Sequence, residues 1–527
     1  MHDGARTESL LASRSVSAKS DLARMLMLII FLLHLGPMFS CTAKPDPNTL
    51  VMIIESSPTN LDPRVGLDVF SERIDDLIFD DLLTRDAHLN VQPGLAERWE
   101  IPDARTYIFH LRRGVKFHDG RPLLARDVKW TFDSLLEGKI RSTKSAAYRF
   151  VDHIDAPDDY TVIFHLTEPF ATLLWNLAGP AIGIVPYGSG AEMSAHPIGS
   201  GPFRFVDAEQ DKQVVIESNN EYWGAKPKLA RVRFTVVPDA TTRALELRKG
   251  SADIASNALT PDMVLALKRD SDLQVMQVPG TTLAYMAFNV RDPILKDARV
   301  RRAIGQAIDR APMIHYLWRD FARPAASVLP PESWAYHADE NLNFDPESAK
   351  QLLDEAGYPL KDGVRFHLEM KTSTEESTRL MAAVLQQQLR QVGIALDIRT
   401  FEFATFFSDV TRGSFQLYSL RWIGGNEDPD IFEYIFHSNK FPPHGANRSF
   451  YSNPRVDALI DQARQELDQN RRKQTYAEIQ HLLAEDAPAV NFWYLDNILV
   501  HNKRVRNLSL NPPGNYDFLR TAELDRP

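Results

Sequence analysis

A chain of 527 residues exceeds the size at which one hydrophobic core stops growing, so two or more lobes are expected, and its 44% hydrophobic residues are enough to fill them. The formal net charge is -10, and lysine and arginine are scattered along the chain, which argues against nucleic acid as a partner. The only cysteine is Cys41, which excludes internal disulfides, thiolate zinc sites and redox pairs.

The start of the chain carries the features of an export signal. Residues 25–39, MLMLIIFLLHLGPMF, are mostly apolar and follow the basic residues Arg14, Lys19 and Arg24. This stretch is shorter than the ~20 residues of a membrane-spanning helix and is typical of a cleavable signal peptide. The motif MFSC, which ends at Cys41, resembles the lipobox at which bacteria cleave a lipoprotein signal and attach lipid to the cysteine.

The position of Cys41 predicts how the mature protein is attached to the membrane. We expect residues 1–40 to be a signal peptide, Cys41 to carry the lipid, and residues 41–49, with two prolines, to form an extended tether. The protein would then be periplasmic and held on the cell envelope through its lipid anchor. Two alternatives stay open: an ordinary secretory signal followed by a buried cysteine, and translation that begins at Met25.

Beyond the tether, the spacing of apolar residues switches between that of strands and that of helices. Residues 50–54, LVMII, are a short apolar run that predicts a strand buried on both faces. After a loop signal, residues 70–83, FSERIDDLIFDDLL, place apolar side chains from Phe70 to Leu82 at helical spacing. We expect a strand, a loop and a helix in this order.

The next region predicts antiparallel sheet with one apolar face. Apolar residues alternate with polar ones in TYIFHL, residues 106–111, and in YTVIFHL, residues 160–166. Between these strands, the neighbours His118 and Asp119 invite an interpretation as an acid-base pair. Because the glycine after Asp119 favours a hairpin turn, and a helix with Asp127 in its first turn follows, we interpret the pair as part of a turn.

Strands and helices alternate most clearly in the second half of the chain. The predicted segments are strand 365–370, helix 377–392, strand 394–398, helix 401–410 and strand 415–422. This β-α-β-α-β order predicts α/β architecture with a largely parallel sheet. Since ligands of such sheets gather at strand ends, the loop WIGGNEDPD, residues 422–430, is the candidate binding site.

Taken together, these blocks resemble the extracellular solute-binding proteins of family 5, the peptide, dipeptide and nickel-binding proteins of ABC importers. The resemblance runs in order over about the whole mature chain. Its motifs are AERWEIPDARTYIFHLRRGVKFHDGRPLLARDVKWTF, HPIGSGPFRF, NNEYWGAKPKLARVRF, AFNVRDPILKDARVRRAIGQAID, FDPESAKQLLDEAGYP, YSNPRVDALIDQAR and EIQHLLAEDAPAVNFWY. One departure is Leu124, which stands where the family usually has Thr, so the side-chain cap of the following helix is missing.

The resemblance implies an α/β, two-lobed periplasmic-binding-protein fold of the large class, with the ligand cleft between the lobes. Lobe I would comprise residues 50–289 and 492–527, with an extra subdomain inserted at about 84–202, and lobe II would comprise residues 290–491. The implied role is capture of a solute by a monomer and its delivery to an ABC permease in the inner membrane. No cofactor and no chemistry on the ligand are implied.

Two other function classes find no support in the sequence motifs. An exported hydrolase would use Ser200, but IGSGP does not match the G-x-S-x-G nucleophile elbow, so no catalytic residues are expected. The fifteen histidines form no HExxH, HxH or cysteine-histidine motif, so no metal ligands are expected. A non-peptide solute such as a chelated metal, carried in the same transport role, is the remaining alternative.

The loop after residue 422 departs from the family at an informative position. Peptide-binding relatives carry there an Asp that pairs with the α-ammonium group of the peptide, and matching by Trp422 and Asp428 places Gly425 at that position. An unpaired buried ammonium group is costly. Either a neighbour such as Glu427 or Asp428 substitutes, or the ligand lacks a free amine there.

Further residues complete the predicted site. Trp422 offers a wide apolar wall with one hydrogen-bond donor. Arg421 adds a cation beside the cleft, and Arg379 roughly matches the position at which dipeptide binders hold the ligand carboxylate; the alternative for each is an ordinary surface arginine. The predicted ligand-binding residues are Trp422, Gly424, Gly425, Glu427, Asp428, Arg379 and Arg421. The predicted ligand is a peptide or peptide-like small molecule, and a blocked or otherwise non-standard amine is more strongly favoured than for a typical dipeptide binder.

Overall fold

The structure is a computed structural model that describes residues 48–86, 89–178, 182–339, 342–424 and 427–525. The predicted signal peptide, Cys41, most of the predicted tether and Gly425 lie outside the described residues.

The strands, numbered in chain order, are β1 (Thr49–Ile54), β2 (Leu83–Arg85), β3 (Val91–Pro93), β4 (Ala96–Asp103), β5 (Thr106–Leu111), β6 (Val151–Asp158), β7 (Thr161–Leu166), β8 (Phe203–Glu209), β9 (Gln213–Ser218), β10 (Arg231–Val236), β11 (Ile254–Ser256), β12 (Leu273–Phe288), β13 (Ala322–Pro324), β14 (Phe366–Ser373), β15 (Ile394–Phe401), β16 (Leu417–Trp422), β17 (Ala489–Asn502), β18 (Val505–Arg506) and β19 (Glu523–Leu524).

The α-helices are α1 (Val69–Ile78), α2 (Ala125–Leu136), α3 (Leu173–Asn176), α4 (Ala240–Lys249), α5 (Pro261–Leu267), α6 (Ala298–Gln306), α7 (Arg310–Trp318), α8 (Pro346–Glu355), α9 (Glu376–Gln391), α10 (Phe403–Arg412), α11 (Ile431–Phe436), α12 (Pro454–Gln465), α13 (Gln469–Asp486) and α14 (Phe518–Thr521). Short 3-10 helices cover Thr143–Tyr148, Ala191–Ser194 and Ser438–Lys440. Within the described ranges, every helix is too short or too polar to cross a lipid bilayer.

The main sheet has two parallel parts that are joined by two long antiparallel strands. Its order is β15-β14-β16-β12-β17-β11-β1-β10-β9-β8, with β13 paired to β17. On one side, β14 pairs in parallel with β15 and β16; on the other, β1 pairs in parallel with β10 and β11. The predicted β-α-β-α-β segment is confirmed as β14-α9-β15-α10-β16, and the strand predicted at residues 50–54 is confirmed as β1.

The junction of the two parts lies where β12 pairs with β17. The pairing runs from Leu273 opposite Asn502 to Ala287 opposite Ala489, and its register shifts between Val278 and Thr282. Gly280 lies inside this shift, and a Cβ atom there would overlap the carbonyl oxygen of Leu495. The two strands therefore approach so closely at this point that only glycine fits without a backbone movement.

A second sheet, of order β4-β5-β7-β6, confirms the predicted antiparallel region. Alternate residues of β5 and β7, among them Phe109 and Phe164, are buried on one face of this sheet. Helix α2 covers that face, with Phe132 packed edge-on against Phe164 at a ring separation of 5.3 Å. As the missing threonine predicts, α2 has no side-chain cap at Leu124, and Asp127 instead accepts a hydrogen bond from the Leu124 backbone N–H.

The helix predicted over residues 70–83 is wrong at its end, because α1 stops at Ile78. The Gly201 N–H donates a 2.9 Å hydrogen bond to the Ile78 carbonyl oxygen, and a Cβ atom at Gly199 or Gly201 would collide with the same carbonyl group. The Ile78 carbonyl oxygen thus accepts a hydrogen bond from a distant glycine-rich segment instead of from the next turn of the helix. Phe79 continues in an extended conformation.

The segment with His118 and Asp119 is a turn, as the sequence predicts. The Gly120 N–H donates to the Phe117 carbonyl oxygen, and Gly120 has a φ of 87°. Both ring nitrogens of His118 are occupied by backbone, since Nδ1 accepts from Gly199 N–H at 3.3 Å and Nε2 donates to the Gly201 carbonyl oxygen at 3.1 Å. His118 therefore fixes the turn against the glycine-rich segment.

This arrangement makes the stability of the protein depend on pH. Burial lowers the pKa of His118 to about 4 from 6.5, so between these values the unfolded chain binds a proton that the folded chain does not. We expect stability to fall as pH decreases from about 6.5 to about 4, by at most about 3 kcal/mol from this residue.

A comparison of urea unfolding at several pH values for the wild type and His118→Gln measures this contribution. Between pH 6.5 and 4, the free energy of unfolding should decrease less in His118→Gln than in the wild type. A matched change at the exposed His196, His196→Gln, should leave the decrease as large as in the wild type. Equal pH slopes for the wild type and His118→Gln would show that this imidazole is not responsible.

Candidate functional site

The loop after β16 begins where the parallel part of the main sheet ends. β16 lies between β14 and β12, and its last residue, Trp422, is opposite Leu283 of β12. Gly424 follows with a φ of 70°, a conformation that glycine adopts without strain. The sheet therefore places Trp422 and its loop at the strand ends where ligands of such sheets bind.

Glu427 of this loop is buried, and its partners come from distant parts of the chain. The Thr281 hydroxyl donates a 3.0 Å hydrogen bond to Glu427 Oε1, and Arg85 Nη1 lies 3.5 Å from Glu427 Oε2. Arg85 also donates to the Ala178 carbonyl oxygen at 2.6 Å and lies over the Trp175 ring, 3.7 Å from its centroid. The buried carboxylate is thus balanced by a cation that is itself held in place.

The next residue, Asp428, is also buried. Its Oδ1 accepts a 2.8 Å hydrogen bond from the Asp430 N–H, which orients the carboxylate within the loop. Burial raises the pKa of Asp428 to about 6, and the positive charges of Arg472 and Arg85 oppose this rise. The Asp428 carboxyl is therefore more readily protonated than an exposed aspartate.

Trp422 is half-buried among aromatic and cationic groups. Its indole stacks on the Tyr285 ring with centroids 6.0 Å apart and planes 10° apart, and it meets Tyr434 edge-on at 6.5 Å. The guanidinium carbon of Arg448 lies 5.4 Å from the indole centroid. These contacts hold the indole in one orientation, which makes it a rigid wall rather than a mobile side chain.

A cavity of about 500 Å³ opens at the ends of β14 and β16, beside the first turn of α9. Its lining includes Thr374, Ser377, Thr378, Arg421, Ile423 and Phe403. Because side chains alternate along a strand, Arg421 and Ile423 line the cavity while Trp422 between them packs on the Tyr285 side of β16. Arg421 Nη2 lies 3.1 Å from both carboxylate oxygens of Glu375.

The predicted site residues thus fall into separate groups. Glu427 and Asp428 are buried together, and Trp422 packs on the opposite side of β16 from the cavity that Arg421 lines. Gly424 turns the chain between them. Arg379 lies exposed in the first turns of α9 and is not among the residues that line the cavity. Gly425 is outside the described residues.

Three residues of the candidate site were not predicted from the sequence, namely Arg85, Thr281 and Glu375. Arg85 lies 342 positions from Glu427 along the chain, and Thr281 lies 146 positions from it. Such pairings leave no local spacing pattern. The only available signals were the charge of Arg85 at a strand end and the Pro-Gly bend just before Thr281.

Comparison with known proteins identifies the family. The model of bacterial extracellular solute-binding proteins, family 5, matches residues 90–442. The chain is 30% identical to a dipeptide-binding protein of Escherichia coli, over 81% of this chain and 85% of the relative. It is 29% identical to di/tripeptide-binding protein 1 of Pseudomonas aeruginosa, over 90% of this chain and 94% of the relative.

A solved structure shows the same fold. The ABC transporter-associated periplasmic binding protein DppA of Helicobacter pylori, in complex with the peptide STSA, is 26% identical with a TM-score of 0.75. The alignment covers 90% of this chain and 98% of the DppA chain. The chain belongs to the bacterial extracellular solute-binding proteins, family 5.

Membership of family 5 confirms the predicted α/β, two-lobed fold and the predicted role in solute binding. It also assigns the chain to a family of binding proteins rather than enzymes. In this family-5 chain, a cavity and a buried ion pair lie at the loop that the sequence selects as the candidate site.

The Arg85 and Glu427 contact gives a direct test of this geometry. In Arg85→Ala, the buried Glu427 loses its cation, so the free energy of unfolding should fall by about 2–4 kcal/mol. Adding Glu427→Gln should restore most of that loss, because the amide needs no counter-charge. Urea unfolding of both single variants and of the double variant measures the coupling.

Arg98→Ala is the matched control, because Arg98 forms an exposed ion pair with Glu100. This change should alter the free energy of unfolding by less than about 1 kcal/mol. A large effect of Arg85→Ala that Glu427→Gln does not reduce would mean that Arg85 acts through Trp175 or Ala178 rather than through the carboxylate.

Proposed function

We propose that the protein is the exported substrate-binding component of an ABC importer, which captures a peptide or peptide-like solute between two lobes and delivers it to the membrane permease. The observation that carries this proposal is the likeness, over most of both chains, to relatives named for binding dipeptides and tripeptides. The cavity and charges at the end of β16 supply the chemistry such a solute needs.

We propose that lobe I comprises residues 50–289 and 492–527, with the inserted subdomain at about 84–202, and that lobe II comprises residues 290–491. The two long strands β12 and β17 support this division, because they connect one parallel part of the main sheet to the other. The contact of Arg85 with Glu427 would then join the lobes across the cleft, as expected of interactions made in a closed state.

The cavity suits a solute that carries a carboxylate. The first turn of α9 lines it, and the N-terminal end of a 16-residue helix carries partial positive charge from its backbone N–H groups. Arg421 adds a guanidinium group that is 37% exposed, and a ligand carboxylate would take the place of Glu375, the partner with which Arg421 is paired at the rim of the cavity. Phe403 and Ile423, both more than half exposed, offer apolar surface for a ligand's side chains.

The amine end of the solute meets a different environment. Glu427, one of the two predicted substitutes for the family's Asp, already contacts Arg85 and Thr281. Asp428, the other, is buried and accepts a backbone hydrogen bond. A free ammonium group would have to compete with Arg85 for Glu427, which favours a peptide-like solute whose amine is blocked or non-standard.

We further propose that the protein performs no chemistry on its solute. Ser200 is fully buried and donates a 2.9 Å hydrogen bond to Asp80, while His118 uses both ring nitrogens on backbone groups. Ser200 is therefore closed off from a solute and bonds a carboxylate instead of a histidine, and His118 has no ring nitrogen left to act as its base. We therefore propose that the protein only binds and releases its solute, without a reaction at Ser200 or His118.

Isothermal titration with a panel of di- and tripeptides, each with a free or an acetylated N-terminus, tests the ligand proposal. We expect binding of the acetylated form at least as tight as that of the free form, and an affinity loss of about tenfold or more in Arg421→Ala, since a charge-assisted hydrogen bond contributes about 1.5–3 kcal/mol.

Arg390→Ala, at the far end of the same helix, is the control and should leave the affinity unchanged. Arg379→Ala should have a smaller effect than Arg421→Ala, because Arg379 does not line the cavity. Failure of every peptide to bind would refute the peptide proposal, and unaltered binding in Arg421→Ala would remove Arg421 from the site.

We also propose that the mature protein begins at a lipidated Cys41 and is held as a monomer at the cell envelope. The sequence MFSC after a short apolar stretch supports this proposal. Cys41→Ser should release the protein from membranes into the soluble fraction. Retention of the variant on membranes after a salt wash, or an intact mass that includes residues 1–40, would contradict the anchor.

A further inference from the structure

The solvent-facing side of the four-stranded sheet carries a pair of histidines that the solute site does not use. His153 of β6 and His165 of β7 are directly opposite each other in the antiparallel pairing. Their imidazole rings are stacked, with centroids 4.3 Å apart and planes 13° apart. The two side chains therefore leave the sheet side by side and in the same direction.

Asp155 brings a carboxylate to the same point. Its Oδ2 lies 3.3 Å from His165 Nε2 and 3.8 Å from His153 Nε2. One donor atom from each of the three residues lies within 4.8 Å of the others. Donors bound to a tetrahedral zinc ion at about 2.0–2.1 Å are separated by roughly 3.4 Å, so only small side-chain movements are needed to bring these three onto one ion.

The tautomer of His153 is also suited to metal binding. Its Nδ1 lies 2.8 Å from Asp152 Oδ2, so the Nδ1–H group donates to that carboxylate. The lone pair then resides on Nε2, the nitrogen nearer Asp155. A carboxylate that orients a histidine in this way is the usual outer partner of a metal-binding imidazole.

The sheet makes this arrangement rigid. The residues on the other face of the same strands, Ile154 and Phe164, are fully buried, so the strands cannot rotate to separate the three donors. A register shift between Val151 and His153 places Asp152 beside His153 instead of opposite β7. The three donors are nevertheless open to solvent, with exposed side-chain fractions of 53%, 56% and 32% for His153, Asp155 and His165.

We propose that His153, His165 and Asp155 form a binding site for a divalent transition-metal ion of the zinc class, with water completing the coordination. Two imidazoles and a carboxylate are donors that zinc, nickel and copper accept, and the Irving–Williams order favours these ions over manganese or iron. Sequence spacing could not suggest the site, because the two histidines are twelve positions apart and are brought together by strand pairing alone.

The test is a titration of ZnCl₂ into the purified full chain, prepared without a histidine tag and stripped with EDTA, followed by calorimetry. We expect one equivalent bound with micromolar affinity, and at least about tenfold weaker binding in His153→Ala and in His165→Ala. Asp152→Asn should weaken binding while keeping the stoichiometry, because it removes only the group that orients His153.

His110→Ala is the matched control, since His110 lies on β5 of the same sheet and pairs with Glu100 outside the cluster. It should bind zinc like the wild type. Cobalt(II) provides a second readout, because a tetrahedral or five-coordinate site gives visible absorption bands that should vanish in the His153→Ala, His165→Ala double variant. Wild-type affinity in that folded double variant, or the absence of binding by the wild type, would overturn the proposal.

Discussion

The fold depends above all on the pairing of β12 with β17. β12 pairs with β16 of one parallel part and β17 pairs with β11 of the other, so the hydrogen bonds between β12 and β17 hold the two parts together. The pairing is not uniform, because the register shifts at Gly280 and the strands approach there more closely than any side chain allows. With a second register shift between Ala284 and Tyr285, the ladder has two irregularities, and such points are natural places for two lobes to pivot.

The candidate site lies next to the register shift at Gly280. Thr281, the residue after Gly280, donates to Glu427, and Glu427 in turn contacts Arg85. A change in the angle between the two ends of β12 would therefore alter the position of Thr281 relative to the loop. This arrangement links a backbone feature of the sheet to the charged groups of the candidate site.

Much of the fold was predictable because its signals are local. The strand at residues 50–54 and the β14-α9-β15-α10-β16 segment each bury side chains whose spacing already identifies strand or helix. The end of α1 was not predictable, since it depends on a hydrogen bond from Gly201 to the Ile78 carbonyl group. The partners of Glu427 and the pairing of His153 with His165 depend in the same way on long-range contacts.

We propose above all that the two lobes enclose a peptide-like solute. Native mass spectrometry of the protein as purified from its own cells tests it most directly, because closed lobes retain their ligand during gentle purification. We expect one small molecule per chain, released on unfolding, whose fragments contain amide-linked residues and a free carboxylate. A bound species without amide bonds, such as a lone metal chelate or a sugar, would contradict it.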